Sequence, residues 1–432
     1  MSPALGSLAI LGAVLVLYAT EKIPLGITAV GACVALVLFR VVDFATAFSG
    51  FASDVVFLVG GMVVVGTAFM ESGASQAMGE AILRRAGTSE RRILALTLLL
   101  AGALSAFLNN TTVTAMFLPL ILGMGVSSPE RVRPAHLLML VAFAASAGGM
   151  MTLVGSTPPL IVQGVLQKAG LPQFGFFEFG LVGLPIFLLL LLYALFIGYP
   201  LSVRLMARRS LVSPVAPVPA NPHTRDRRRM WVSSAIMGLC IALFAAQALP
   251  IPAVKNALPP LGLTAMLGAV LSVVTGCIGD TEAYRRMDWN TVFVLAGSLG
   301  LAAGLDKSGG GKLLADWVLG ALGPSVSPFA VMATLTGLCM ILTQVSSNTA
   351  VTATLAPIAL FLSQNMGVSP HPFLMAIATG AAASFATPVA TPPNTLVLSV
   401  GYKFWDYVVV GGLFNLLCYA VVVVIVPLVW PF

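Results

Sequence analysis

Four short polar stretches interrupt long apolar runs in this sequence, and they hold the residues best suited to chemistry. Two are alike: Asn109–Asn110–Thr111–Thr112 and Ser346–Ser347–Asn348–Thr349. The other two also match: Gly155–Ser156–Thr157–Pro158–Pro159 and Ala390–Thr391–Pro392–Pro393–Asn394. Asn, Ser and Thr are favoured helix N-caps because their side-chain oxygens accept hydrogen bonds from the orphan N–H groups of the first turn. A Thr-Pro pair puts such a residue before proline at the first helical position, where proline fits best. Each stretch therefore predicts a fresh helix start. Such a start carries about half a positive charge and binds anions without any formal cation. Four starts meeting at one place would suit a dianion.

Charge is absent around them. No Asp, Glu, Lys or Arg occurs from Ile93 to Pro129, from Pro134 to Gln167 or from Trp317 to Tyr402. General acid–base pairs and metal-ligand clusters are missing around them, so no catalytic constellation is found and the expectation is a protein that is not an enzyme. Proton relays inside membranes normally use carboxylates or histidine, and here His136 and His371 fall near segment ends while His223 lies in a polar stretch. A cation held by carbonyl and side-chain oxygens, such as Na⁺, is the more natural coupling partner.

The elements that must position these residues follow from composition. Of 432 residues, 58% are apolar and 9% charged, against about 25% charged in soluble domains. Mean hydropathy is +1.00. The expected solvent is lipid, and the expected fold is an all-α polytopic membrane protein. The net charge of +7 comes from arginine clusters between apolar runs, the pattern of cytoplasmic loops, and does not point to nucleic acid. The five cysteines (Cys33, Cys240, Cys277, Cys339 and Cys418) all lie in apolar stretches and read as buried small residues. The N-terminus reads as a first span and not as a cleaved signal.

Counting about 20 apolar residues per span divides the chain into two halves. The first, 1–200, has spans at 4–20, 24–40 and 54–70, a hairpin at 91–129, a broken span at 135–168 and a span at 178–200. A basic, Pro-rich cytoplasmic linker covers 201–229. The second half, 230–432, has spans near 231–249, 260–277 and 290–305, a hairpin at 326–365, a broken span at 371–402 and a last span near 405–430. Basic residues bracket the first hairpin on both sides (Arg91 and Arg92 before, Arg131 and Arg133 after), so it enters and leaves on one face.

The halves repeat in sequence. The twelve residues from Asn109 align without a gap to the twelve from Ser347 with six identities, and 54–83 aligns loosely with 290–319, each with a Ser-Gly pair (Ser72–Gly73 and Ser308–Gly309). Five crossings per half is an odd number, so the second half is expected to run inverted. That orientation puts 17 of the 22 lysines and arginines on the cytoplasmic side and leaves Arg40, Lys168, Lys255, Lys307 and Lys312 outside. The expected architecture is two inverted repeats, about ten transmembrane helices with two re-entrant hairpins and two broken helices. Broken helices paired across inverted repeats are a pointer to a transporter's binding site. Glu21 and Glu71 read as interfacial.

The paired Ser-Asn-Thr type motifs on hairpin tips, with partnered Thr-Pro breaks, resemble the divalent anion/sodium symporter family over about 4–430. Ser347–Asn348–Thr349 and the TPPN of Thr391–Asn394 match in full; the first motif reads Asn-Asn-Thr and the first break Thr-Pro-Pro-Leu. The resemblance implies a homodimeric, multi-pass protein of the inner (plasma) membrane, in which one domain moves as an elevator against a fixed scaffold. It implies a secondary active transporter of a small divalent anion, foremost sodium-coupled C4-dicarboxylate uptake. The alternatives are a sulfate-like oxyanion carrier and a sodium-independent dicarboxylate exchanger. It implies substrate contacts from Asn110, Thr111, Thr157, Asn348, Thr349, Thr391 and Pro392. It implies one Na⁺ site near Ser105, Asn109, Asn110 and Gly155 and a second near Thr343, Ser347, Asn348 and Ala390.

Overall fold

The structure, a computed structural model, describes residues 2–87, 89–128, 132–207, 226–249, 251, 257–322 and 326–432. Among the described residues every regular element is helical. Most of the linker expected at 201–229, and with it Arg208, Arg209, His223 and Arg225, lies outside the described residues, as do Arg131 and Lys255.

Among the described residues, five helices are long and apolar enough to cross a bilayer: Pro3–Thr20, Asp54–Glu71, Gly180–Met206, Arg227–Gln247 and Phe404–Val429. The third of these passes through a π-helical turn at Ala194–Gly198. That turn lies just ahead of Pro200, which lacks the N–H a regular α-helix would use there. The spans expected at 24–40 and 260–277 are shorter than read. They are the 14-residue helices Leu25–Leu38 and Leu261–Val274, about 21 Å each at 1.5 Å per residue. A proline precedes each and sets its start.

The two expected hairpins are pairs of helices. Glu90–Ser105 and Asn110–Ser127 form hairpin 1, and Pro328–Leu342 and Asn348–Asn365 form hairpin 2. The two expected broken spans are interrupted at the proline pairs: Pro134–Gly148 then Thr157–Lys168, and His371–Ala382 then Pro392–Leu398. Two further helices were not read from the sequence, Ala74–Ala86 and Gly310–Leu322. Each follows the Ser-Gly pair of its half, where Gly73 (φ 81°) and Gly309 (φ 74°) take the left-handed conformation that ends the preceding helix.

The packing repeats under exchange of the two halves. Leu25–Leu38 packs on Trp289–Ser308 as Asp54–Glu71 packs on Leu261–Val274. The Gly26 N–H donates to Asn290 Oδ1 at 2.9 Å, and the Gly262 N–H donates to Asp54 Oδ1 at 3.0 Å. Gly61 lies against the Ala265 backbone and Gly297 against the Ala29 backbone, so closely that a Cβ at either glycine would strike it. Small residues at such crossings let helices approach, the usual basis of packing where lipid supplies no hydrophobic drive. The second leg of hairpin 1 leans on Pro392–Leu398, and the second leg of hairpin 2 leans on Thr157–Lys168. Each hairpin therefore packs against the broken span of the opposite half.

Candidate functional site

The hairpin tips are built by their own caps. Asn109 Oδ1 accepts from the Thr111 N–H at 2.9 Å and starts Asn110–Ser127. Ser347 Oγ accepts from the Ala350 N–H at 3.2 Å and starts Asn348–Asn365. An amide and a hydroxyl thus do the same work in the two halves. Among the described residues the N–H groups of Asn110 and Thr112 at the first tip, and of Asn348 and Thr349 at the second, have no protein acceptor.

The broken spans start differently from the expectation. At the first break the N-cap is Ser156, and Thr157 is already the first helical residue. At the second, Thr391 is the N-cap as expected, but its side chain caps nothing. Ser156 Oγ and Thr391 Oγ1 are buried without a partner among the described residues. The proline pairs also remove two N–H groups from the first turn of each helix, since proline has none. The breaks therefore offer few N–H donors, and the N–H groups without an acceptor described above lie at the hairpin tips.

Behind each tip lies an oxygen-rich cluster. In the first half the side-chain amide of Asn110 places one atom 2.6 Å from Ser105 Oγ, 3.0 Å from Gly155 O and 3.2 Å from Ala145 O. With nitrogen there, the amide donates to these oxygens. With oxygen there, it faces carbonyl oxygens that cannot donate, an arrangement a cation would relieve. Gly149 makes the close approach possible, because a Cβ on it would strike the Asn110 amide. In the second half Thr343 Oγ1 lies 2.7 Å from Asn348 Oδ1 and 2.7 Å from Ala381 O. One hydroxyl proton can serve only one of these acceptors, so again more oxygens converge than protons. Ser105 and Thr343 are buried, and both asparagines are half-exposed.

The expected site residues therefore fall into two groups. Ser105, Asn110 and Gly155 meet in one cluster and Thr343 and Asn348 in the other; Asn109 and Ser347 cap the helices beside them. Thr157, Thr349 and Pro392 form no side-chain hydrogen bond to the other candidates among the described residues, and Ala390 is buried beside Thr391.

Several supporting residues were not read from the sequence. Gln344 Oε1 accepts from the Ala386 N–H, and its Nε2 donates to Ala383 O. Asn394 Nδ2 donates to Ser384 O and Thr387 O, each at 3.0 Å. Asn415 Oδ1 accepts from the Phe385 N–H. Together they bond five backbone groups of the second break between Ala383 and Thr387, the kind of partner that non-helical backbone at membrane depth requires. The first break is held from outside: the Leu153 N–H donates to Phe176 O, and Thr152 Oγ1 donates to Ala106 O. At the foot of hairpin 1, Glu90 accepts from Tyr199 Oη at 2.6 Å and from the Arg133 N–H at 2.9 Å, with His136 Nδ1 3.3 Å away. Burial alone would raise the Glu90 carboxyl, but these hydrogen bonds outweigh it and hold it below its ordinary value. Asn394 stood in the TPPN motif and could have been singled out; the others are long-range contacts with no local signal.

Comparison with known proteins adds four findings. Residues 15–380 match the sequence profile of a family described as citrate transporter. An uncharacterized transporter of Haemophilus influenzae is 29% identical, the match covering 98% of this chain and 91% of that protein. The sodium-dependent dicarboxylate transporter SdcS of Staphylococcus saprophyticus is 25% identical over 96% of this chain and 84% of its own length. In three dimensions the chain resembles the Alcanivorax borkumensis YdaH transporter, with a TM-score of 0.63 at 16% identity over 88% of this chain and 86% of that one.

Proposed function

The chain belongs to the citrate transporter family, and from that premise we propose that this multi-pass secondary transporter of the inner membrane carries a C4-dicarboxylate coupled to Na⁺. The observation that carries the reading is the duplicate cluster: Ser105 with Asn110, and Thr343 with Asn348, each behind an N-capped helix tip with unpaired N–H groups. The N–H groups and the Thr111 and Thr349 hydroxyls face a substrate carboxylate, one carboxylate per tip. The oxygen clusters behind them hold one Na⁺ each. Na⁺ is a hard cation that takes uncharged oxygen ligands, and these clusters offer hydroxyl, amide and carbonyl oxygens. Each ion would draw the asparagine oxygen toward itself and leave the amide N–H free for the anion. Bound cation and bound anion then stabilise each other, which is the thermodynamic content of coupling. The name of the Staphylococcus relative supports both ligands.

The exchange-symmetric packing supports an elevator. The paired helices Leu25–Leu38 with Trp289–Ser308, and Asp54–Glu71 with Leu261–Val274, form a scaffold. The hairpins and broken spans, each packed on the opposite half, form the moving body. A homodimer would fix the scaffold in the bilayer while that body moves.

A competition panel tests the substrate: labelled succinate uptake into proteoliposomes against unlabelled malate, fumarate, citrate and sulfate, with sodium, with lithium and with no gradient. Displacement by malate and fumarate in sodium is expected. Displacement by sulfate alone would make the chain an oxyanion carrier, and uptake indifferent to sodium would make it an exchanger.

A further inference from the structure

Glu21 ends the first crossing in an unusual way. It caps Pro3–Thr20 in the left-handed region at φ 48°, a conformation uncommon for residues other than glycine. Its N–H is bonded back to Leu17 O. From that fixed position its side chain reaches across the fold, and Oε1 accepts from the Ser347 N–H at 3.0 Å. Ser347 is the residue whose own hydroxyl caps hairpin 2. A carboxylate from the first crossing is therefore hydrogen-bonded to the tip of hairpin 2, next to the cluster of Thr343 and Asn348.

The direction of this contact matters. In the orientation read from the lysines and arginines, Glu21 and Lys22 lie at the cytoplasmic end of the first crossing. Hairpin 2 enters from the opposite side. A tip from the outer side that touches the inner end of a crossing is near the inner limit of its travel. Any outward movement of the tip relative to the first crossing must break the bond. The carboxylate also places a negative charge at the positive end of Asn348–Asn365, which favours the contact while it lasts.

We propose that Glu21 is a positioning residue of the transport cycle: its carboxylate straps the hairpin 2 tip in the inward-facing arrangement and releases it on the outward stroke. This rests on the elevator reading above. It predicts that loss of the strap shifts the balance of the two arrangements outward without altering the ion cluster.

The test reads the position of the tip itself. Val345, at the tip, is 74% exposed, and the five native cysteines are all buried, so a single V345C reports access to a membrane-impermeant maleimide applied to the cytoplasmic face of inside-out vesicles. Glu21→Ala in that background should slow labelling by roughly two- to fivefold, the range for one exposed charged contact. Glu21→Gln keeps an acceptor oxygen and should restore most of the wild-type rate, which a general packing defect would not do. Should Glu21→Ala fail to fold, Glu21→Asp, too short to reach, gives the same comparison. Equal labelling in wild type and Glu21→Ala, in vesicles whose V345C responds to sodium and succinate, overturns the strap alone. No response to sodium and succinate in otherwise wild-type V345C overturns the elevator reading and the strap with it.

Discussion

Thr343 holds its hydroxyl oxygen 2.7 Å from Asn348 Oδ1, one turn of chain before the tip of hairpin 2. Ser105 stands to Asn110 in the same way at 2.6 Å. The same contact stands behind both tips, and it is the feature on which the proposed pairing of ion and anion rests.

Asn348 is asked to serve both ligands, so Asn348→Ala should abolish measurable uptake while leaving a folded, monodisperse protein. Losing a hydrogen bond to a charged group costs about 1.5–3 kcal/mol, roughly ten- to a hundredfold in affinity, and here an ion contact goes with it. Normal uptake by a well-folded Asn348→Ala would remove this residue from the site.

Thr343→Ala deletes an oxygen that faces Asn348 and Ala381 but nothing that faces substrate. The half-saturating sodium concentration should rise at least roughly tenfold, with Thr343→Ser near wild type. Sodium-dependent thermal stabilisation without substrate reads this independently of transport. A Thr343→Ala protein stabilised by sodium as well as wild type would place the ion elsewhere.

Gly149→Ala drives a methyl into the Asn110 amide. It should lose transport and about 1–3 kcal/mol of stability through overpacking. Gly412→Ala is the control: a Cβ there meets nothing within 4 Å, and the gain in helix propensity is up to about 1 kcal/mol. Unchanged uptake in Gly149→Ala would mean that the first cluster tolerates a displaced Asn110.

Glu90 lies one residue before the expected start of hairpin 1, and its carboxyl is held below the ordinary value. A depressed carboxylate contributes stability that is fully present above its unfolded pKa and is lost as pH falls through the folded value. The melting temperature of Glu90→Gln should therefore lie below wild type at pH 7, and the gap should close as the pH is lowered past the ordinary carboxylate range. A gap independent of pH would show that Glu90 acts by shape and not by charge.

Much of the candidate site was legible because its residues are local exceptions. Asn109–Thr112 and Ser346–Thr349 break apolar runs, and a proline pair stops a helix wherever it stands, so both hairpins and both breaks could be placed to within a few residues. The start of Thr157–Lys168 lies one position earlier than the Thr-Pro pair suggests: Ser156 takes the N-cap position without a side-chain cap, and composition does not choose between the Ser and the Thr that precede the prolines. Contacts distant in the chain left no trace. Glu21 and Ser347 are 326 residues apart, and Glu90 and Tyr199 are 109 apart. Nothing in the spacing of those residues announces a partner. The helices Ala74–Ala86 and Gly310–Leu322 were missed for a related reason, since their polar faces hid them from a search for apolar spans.

The central claim is that two uncharged clusters couple sodium to a dicarboxylate. The most direct measurement is the initial rate of labelled succinate uptake into proteoliposomes with an inward sodium gradient, set against equal gradients of potassium. Accumulation driven by sodium, absent with potassium and lost in Asn348→Ala, is the predicted result. Equal uptake with both cations, or none with either, would contradict it.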